Sequence, residues 1–197
     1  MLGNTPMMIQ YEKVKAQYED CILFYRLGDF YEMFGPDAET ASRILGIALT
    51  GRAGGNGTKV PMCGVPFHAA DNYIAKLISA GLKVAVCEQL EDPKAVKGIV
   101  KRDVIRIMTP GTVLESNILK EKDSNYLIAL VKSADKYALA ALEASTGEFM
   151  AVDLDNEADV INEILRFEPA ECICAINDVN LTNFLKNINS PKTLVVN

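Results

Sequence analysis

The sequence predicts a mixed α/β protein built as two domains. Short apolar runs rich in branched and aromatic residues, typical of strands, alternate with segments whose apolar residues recur at helical spacing. The chain has 197 residues and is 49% hydrophobic, which suits one large domain or two small ones and argues against disorder. Its charge is uneven: residues 1–122 carry 15 Lys and Arg against 14 acids, and residues 123–197 carry 5 against 12. Only the first part is therefore suited to a phosphate backbone, through a local patch.

Composition excludes several classes of protein. The apolar runs have the length of strands and are flanked by charges, so they are too short to span a membrane. The first residues lack the basic and apolar regions of a secretory signal. An odd number of cysteines, five, mostly in apolar runs, indicates buried, reduced thiols in a cytoplasmic protein. Cys172 and Cys174 with a single histidine are too few ligands for a structural zinc site.

The first part of the chain alternates helices and strands. Thr5 and Pro6 form a cap and a first-turn proline, and helical apolar spacing continues to about Glu19. The further elements are predicted in the same way, from apolar runs that end at glycine or proline. They are a strand at 22–27, a helix at 36–45, strands at 47–50, 60–65, 83–89 and 104–108, and a helix from 68 to 81. The strand–helix–strand order predicts a crossover and a partly parallel sheet.

The stretch Gly-Asp-Phe-Tyr-Glu-Met-Phe at 28–34 follows the first strand and carries the best candidate site. Phe30 and Glu32 are two residues apart, so extended backbone puts them on one side, with Tyr31 on the other. An aromatic ring beside a carboxylate can stack on a flat ligand such as a nucleotide base and test its edge for a donor. From spacing alone, a core aromatic at Phe30 and a solvated acid at Glu32 remain the preferred alternatives.

Two basic regions are candidates for phosphate contact. Residues 51–59 contain four glycines with Arg52 and Lys59, and predict a flexible loop; a plain hairpin connection is an equal alternative. This is not a Walker loop, because Lys59 runs into Val-Pro and not into a helix. A second cluster lies at 94–106, where strand alternation puts Arg102 and Arg106 on one face; a solvated edge strand guarded by lysines is its alternative.

The second part predicts three strands joined by short turns, followed by alternating helix and strand. The strands are predicted at 126–131, 137–144, 148–154, 172–176 and 193–196. One helix is predicted around the apolar residues 160, 161, 164 and 165, and another at 181–188. This order resembles the start of a ribonuclease-H-like α/β fold, and a sheet truncated at the last strand is one interpretation. A nuclease of that fold needs acids clustered on central strands to hold magnesium. The first strand has none, so catalysis is not predicted.

Four sequence blocks, in matching order and spacing, resemble the MutS family of DNA mismatch repair proteins. They are 28–32 (Gly-Asp-Phe-Tyr-Glu), 61–68 (Pro-Met-Cys-Gly-Val-Pro-Phe-His), 84–89 (Val-Ala-Val-Cys-Glu-Gln) and 106–112 (Arg-Ile-Met-Thr-Pro-Gly-Thr). The resemblance covers residues 5–115, and residues from about 125 resemble the family's connector domain more loosely. Cys63 stands where the family usually has alanine, away from the candidate site.

The resemblance implies a function for the candidate site. Phe30 would wedge into DNA from the minor groove beside a mispaired base and stack on it, and Glu32 would hydrogen-bond that base. Arg52, Lys59 and Arg102 are the candidates for contacts to the DNA backbone.

The resemblance also implies a mismatch-recognition domain at 1–115, a linker at 116–124 and the first part of a connector domain at 125–197. It further implies a longer protein that forms a homodimer, binds a MutL-like partner, and uses ATP and magnesium in a downstream ATPase. The sequence has no Gly-x-x-x-x-Gly-Lys-Ser/Thr, so we expect neither cofactor site nor catalytic constellation in this fragment. A protein-interaction module that binds no nucleic acid is the alternative function, and a ribonuclease-H-like nuclease is the third.

Overall fold

The computed structural model describes residues 2–55, 57–92, 96, 98–112, 124–175, 177–190 and 194–197. These residues form two compact units, Met1–Met108 and Thr109–Asn197. The predicted linker, except for Ser124, and the lysines at 94 and 97 lie outside the described residues. The proposed domain boundaries therefore stay a prediction.

The described part of the first unit is a six-stranded sheet with three α-helices. Its elements are α1 (Pro6–Lys15), β1 (Cys21–Leu27), β2 (Phe30–Phe34), α2 (Pro36–Leu45), β3 (Thr50–Gly55), β4 (Thr58–Pro66), α3 (Ala70–Ser79), β5 (Lys83–Gln89) and β6 (Arg102–Met108). The strand order is β3-β4-β2-β1-β5-β6. β1 and β5 are parallel and the other neighbours are antiparallel, which confirms the predicted partly parallel sheet.

α1 packs on the sheet through Tyr11. Its ring meets those of Tyr25 and Phe34 edge-on, with centroids 5.3 and 4.9 Å apart. Thr5 caps this helix as predicted, accepting a hydrogen bond from the Met8 amide at 3.3 Å. The predicted continuation to Glu19 is wrong, because the helix ends at Lys15.

The Lys15 ammonium lies at the end of α1 and contacts the segment that follows the helix. It lies 3.0 Å from the buried Asp37 carboxylate and donates to the Tyr18 carbonyl at 3.4 Å. The chain after the helix therefore wraps around this cation as it turns into β1. Leu23 on β1 donates its amide to the same Asp37 carboxylate at 3.0 Å, which ties α2 to the sheet.

Within the glycine-rich stretch, residues 51–55 and 58–59 belong to the paired strands β3 and β4, so the flexible loop is wrong and the equal alternative, a hairpin, is the one the structure supports. β3 and β4 pair in antiparallel fashion with Arg52 opposite Val60, and a bulge lies between Ala53 and Gly55. Strand pairing uses backbone groups, which glycine retains, so the absence of side chains did not prevent a ladder. The strand predicted at 47–50 is also misplaced, because β3 begins at Thr50.

The second unit has its own sheet and core. Its elements are β7 (Tyr126–Ser133), β8 (Lys136–Glu143), β9 (Glu148–Leu154), α4 (Glu157–Phe167), β10 (Glu171–Ile173), α5 (Val179–Lys186) and β11 (Val195–Val196). The strand order is β11-β10-β7-β8-β9, with an antiparallel meander β7-β8-β9 and parallel β10 and β11. This confirms the predicted meander and the α/β alternation after it.

The core of the second unit forms between one face of the sheet and its helices. Ile128 and Leu139 from the sheet are buried with Val160 and Ile164 of α4 and Leu181 of α5.

All five cysteines of the chain are free thiols, four of them buried. Among the described residues, no helix is long and apolar enough to cross a membrane.

Candidate nucleic-acid interface

The candidate site begins at the tight turn between β1 and β2. Gly28 and Asp29 form a two-residue connection, with Leu27 paired to Phe30 across it. Gly28 has φ of +60°, a left-handed conformation that glycine adopts without steric cost. The glycine of the Gly-Asp-Phe-Tyr-Glu block therefore sets the turn that delivers Phe30 to the start of β2.

Phe30 presents its ring to solvent from an interior strand. It is 46% exposed, while Tyr31 beside it is 7% exposed and buried on the other face. Its backbone is paired on both sides, with Leu27 on β1 and Pro66 on β4. The alternation predicted for Phe30 and Tyr31 is confirmed, and the alternative of a core aromatic at Phe30 is wrong.

The turn is held by contacts that the sequence did not reveal. Phe67 donates its amide to the Asp29 carbonyl at 3.0 Å, and Arg26 Nε donates to the Gly28 carbonyl at 2.5 Å. The Arg26 guanidinium lies 3.7 Å from the centre of the Phe67 ring and 3.4 Å from a Glu88 carboxylate oxygen. Both carbonyls of the turn are thus bonded. The one available signal was the aromatic that follows Pro66 in the second sequence block.

Glu32 lies on the same face as Phe30 and forms an ion pair with Arg52. Arg52 Nη1 is 2.9 Å from Glu32 Oε2, and the side chains of Arg52 and Glu32 are 42% and 18% exposed. Burial raises the pKa of Glu32 above its ordinary value, and the positive charge of Arg52 opposes that rise. The site therefore combines a half-buried carboxylate with an exposed guanidinium.

The Arg52–Glu32 pair reaches across β4, which lies between β2 and β3. The residue of β4 paired with Glu32 is Gly64. A Cβ at this position would lie 3.4 Å from Glu32 Cγ and 3.2 Å from the Tyr31 carbonyl oxygen. Glycine here keeps the path open for the Glu32 side chain, which explains the glycine of the second sequence block.

Two family models match the chain in succession. One, described as MutS domain I, matches residues 5–117, and the other, MutS domain II, matches residues 125–194. The chain belongs to the MutS family. The predicted resemblance is thereby confirmed over both units.

Relatives that carry the name "DNA mismatch repair protein MutS" are about half identical to this chain. The protein of Acetivibrio thermocellus is 53% identical over 192 residues, which cover 94% of this chain and 22% of the relative. That of Clostridioides difficile strain 630 is 52% identical over 193 residues, 98% of this chain and 20% of the relative. That of Staphylococcus saprophyticus is 53% identical over 173 residues, covering 88% and 20%. The chain spans about a fifth of the length of these MutS relatives.

Lys59 lies on the hairpin next to Arg52 but is directed differently. It is exposed on β4 and pairs with Ala53, whereas Arg52 pairs with Val60. Since neighbouring residues of a strand point to opposite faces, Lys59 does not join Arg52 beside Glu32. The structure therefore brings together Phe30, Glu32 and Arg52, and leaves Lys59 on the opposite face of the hairpin.

Arg102 is buried, in contrast to the surface cation that its sequence context predicted. It is 9% exposed and donates to the carbonyls of Arg26 at 2.7 Å and Val100 at 3.0 Å, and to the Gln10 side chain at 3.1 Å. Its guanidinium also lies 5.1 Å from the centre of the Tyr25 ring. These contacts tie α1, β1 and β6 together. A contact between Arg102 and DNA stays a prediction that this position does not favour.

The acids of the second unit that are buried serve its fold. Glu143 accepts hydrogen bonds from Ser145 Oγ and the Thr146 amide, each at 2.7 Å, and these lower its pKa to about 2. Glu171 accepts from the Gly111 amide at 2.9 Å. Among the residues that the structure describes, no group of three or more His, Cys, Asp or Glu could hold a metal ion.

Proposed function

We propose that this chain recognises mismatched or unpaired bases in duplex DNA by inserting Phe30 beside the faulty base and hydrogen-bonding it through Glu32. One observation carries the proposal: a phenylalanine ring 46% exposed on an interior strand, with a carboxylate two residues further on the same face. The match to MutS domain I and the names of the relatives support it.

The energetics of insertion fit such a detector. Placing a side chain between base steps costs a few kcal/mol of unstacking. A stacked aromatic returns about 1–3 kcal/mol. On a well-paired duplex these terms nearly cancel, whereas a mismatched duplex is already weakened and kinks at lower cost. Phe30 would therefore read the deformability of the duplex and could detect many kinds of error at one site.

Glu32 would add a test of the base itself. A carboxylate close to phosphates is repelled, which penalises a matched duplex that offers no compensating hydrogen bond. In its ionised form it accepts a hydrogen bond from a base, and in its protonated form it donates one to a ring nitrogen. Because burial raises the pKa of Glu32, the protonated form is easier to reach here than for an exposed glutamate.

Positioning on the duplex would fall to cations of the first unit. Arg52 and Lys59 are exposed and suited to phosphate contacts that fix the domain without reading sequence. The acidic second unit, with 5 Lys and Arg against 12 acids from residue 123, would stay away from the phosphates.

We further propose that the chain acts within a protein of the relatives' length. There it would self-associate, bind a MutL-like partner, and depend on ATP and magnesium held outside these 197 residues. The five free thiols are consistent with action in the reducing cytoplasm.

The test is a titration of the full-length gene product with two labelled duplexes, one fully matched and one carrying a single unpaired thymine. We expect tighter binding to the second duplex, with both affinities falling as salt increases. Equal affinities would overturn the proposal, and absence of binding to either duplex would favour a protein-interaction module. Strand cleavage on addition of magnesium would instead favour a nuclease.

A further inference from the structure

We propose that Arg52 couples contact with the DNA backbone to base reading, by releasing Glu32 when a phosphate takes over its guanidinium. This inference rests on the function proposed above. It assigns Arg52 a role beyond a fixed phosphate contact, because the same guanidinium serves Glu32 in the free protein and a phosphate in the complex.

The geometry leaves the Arg52 guanidinium able to meet a second partner. Arg52 Nη1 is 2.9 Å from Glu32 Oε2, and a guanidinium carries five N–H donors in all. The Arg52 side chain is 42% exposed, so a phosphate can approach it, whereas the Glu32 side chain is 18% exposed. Arg guanidinium groups bind phosphate in the same forked manner as carboxylate, which makes a direct exchange chemically reasonable.

Release of Arg52 changes the proton equilibrium of Glu32. In the free protein the guanidinium favours the carboxylate, while burial favours the neutral acid. Once Arg52 turns to a phosphate, burial is left unopposed and Glu32 takes up one proton from solvent. The neutral carboxyl then carries no charge into the phosphate field and donates its O–H to a ring nitrogen of the exposed base.

Few other groups complicate this titration. The strand neighbours paired with Glu32 are Tyr25 on β1 and Gly64 on β4. Burial raises the pKa of Tyr25 to about 12, so it stays neutral between about pH 5 and 9. A pH-dependent change in this range is therefore assigned to Glu32 and not to the described residues that pair with it in the sheet.

The first experiment needs no DNA. The carboxyl carbon of Glu32 is followed by NMR in the 197-residue chain against pH, and Glu32→Gln assigns the signal. Arg52→Gln is expected to raise the pKa of Glu32, since it removes the group that lowers it. Lys59→Gln, with the same change of charge on the next strand, is the matched control and should leave the pKa unchanged. An unchanged pKa in Arg52→Gln overturns the inference.

The second experiment measures the affinity of the full-length protein for the duplex with an unpaired thymine as a function of pH. As the pH rises from the pKa of Glu32 in the free protein to its higher pKa in the complex, the affinity for DNA falls by up to tenfold per pH unit, because the complex holds one more proton than the free protein. In Arg52→Gln this fall should begin at a higher pH, by the shift that NMR records. Glu32→Gln should abolish it, and Lys59→Gln should weaken binding without moving it.

The outcomes separate the two proposals. If the pKa of Glu32 moves in Arg52→Gln but the pH at which affinity falls does not, the coupling is wrong although the ion pair exists. If the wild-type protein binds matched and mismatched duplexes equally, the proposed function fails and the coupling fails with it, while the NMR titration still decides the ion pair. Thermal unfolding of each variant checks that the fold is retained.

Discussion

Phe30→Ala should reduce the preference for mismatched over matched DNA while the protein still folds. The exposure of the ring allows the cost in folding stability to be calculated, and stacking energies give the loss in DNA affinity. A phenylalanine buries roughly 150–250 Å² when enclosed, and Phe30 is 46% exposed, so truncation removes about 100 Å² of buried surface. At about 25 cal/mol per Å² this corresponds to a loss of folding stability of about 2.5 kcal/mol. A fully buried phenylalanine would instead cost about 3–5 kcal/mol.

The effect on DNA binding should be larger and confined to one duplex. Loss of a stacked ring removes about 1–3 kcal/mol from binding to mismatched DNA, or about 5- to 150-fold in affinity. Matched DNA, into which the ring does not insert, should bind almost as before. The assay is the ratio of the two affinities in the full-length protein, with thermal unfolding as the check on the fold.

Phe149→Ala provides the matched control for this experiment. Phe149 is 67% exposed on β9 of the second unit, so its truncation makes the same chemical change at a residue that does not belong to the candidate interface. Its affinity ratio should equal that of the wild type. A ratio that stays within about twofold of the wild type in folded Phe30→Ala would refute insertion of this ring.

Further predictions concern the carboxylates and the turn. Glu32→Ala should tighten binding to matched duplex in a filter-binding or anisotropy assay, because it removes repulsion from phosphate; weaker matched binding would contradict this. Glu143→Gln should destabilise the 197-residue chain at pH 7 by about 1–3 kcal/mol, since the donors at Ser145 and Thr146 lose an ionised acceptor that is itself buried. Hydrogen bonds hold the pKa of Glu143 at about 2, so the carboxylate stabilises the fold fully above the pKa of an unfolded glutamate and progressively less as the pH falls towards 2. The melting temperature of the wild type should therefore fall more than that of Glu143→Gln between about pH 5 and 2.5. Parallel plots of melting temperature against pH for the two proteins would refute the assignment. Arg26→Met removes a bond to the turn and should speed amide exchange at Phe30 by about tenfold, whereas unchanged exchange would show that the turn holds without it.

Much of the fold was predictable from the sequence because many of its strands and helices are indicated by local residue patterns. The strands of the meander, β7 to β9, were predicted within about two residues, since their apolar runs are bounded by short turns. The β3–β4 hairpin was predicted only as one of two equal alternatives, because glycine contributes no side-chain pattern and its strand pairing depends on the partner backbone. The end of α1 was also missed, and the ion pair found there joins Lys15 to Asp37, a residue more than twenty positions away that local spacing does not indicate.

The candidate site was predictable only along a single strand. Alternation along β2 correctly placed Phe30 and Glu32 on the face opposite Tyr31, because that depends on local geometry alone. The Arg52–Glu32 ion pair spans three strands, and the Arg26–Phe67 stack joins β1 to the residue after β4. Pairings of this kind follow from strand order, which local patterns do not contain. Arg102 shows the same limit, since its alternation suggested a surface patch and its partners lie on distant elements.

The ordered backbone at Phe30 affects how well the proposed insertion can distinguish mismatched from matched DNA. The Phe30 backbone is paired to β1 and β4, and both carbonyls of the preceding turn are bonded to Arg26 and Phe67, so the backbone that carries the ring is held before DNA arrives. A residue on a mobile loop would lose backbone freedom only on the duplexes into which it inserts, and that cost would offset part of the gain at a mismatch. With the backbone of Phe30 already ordered, this cost is small, and more of the stacking free energy is left to distinguish mismatched from matched DNA. A paired strand is therefore better suited than a flexible loop to carry an inserting side chain.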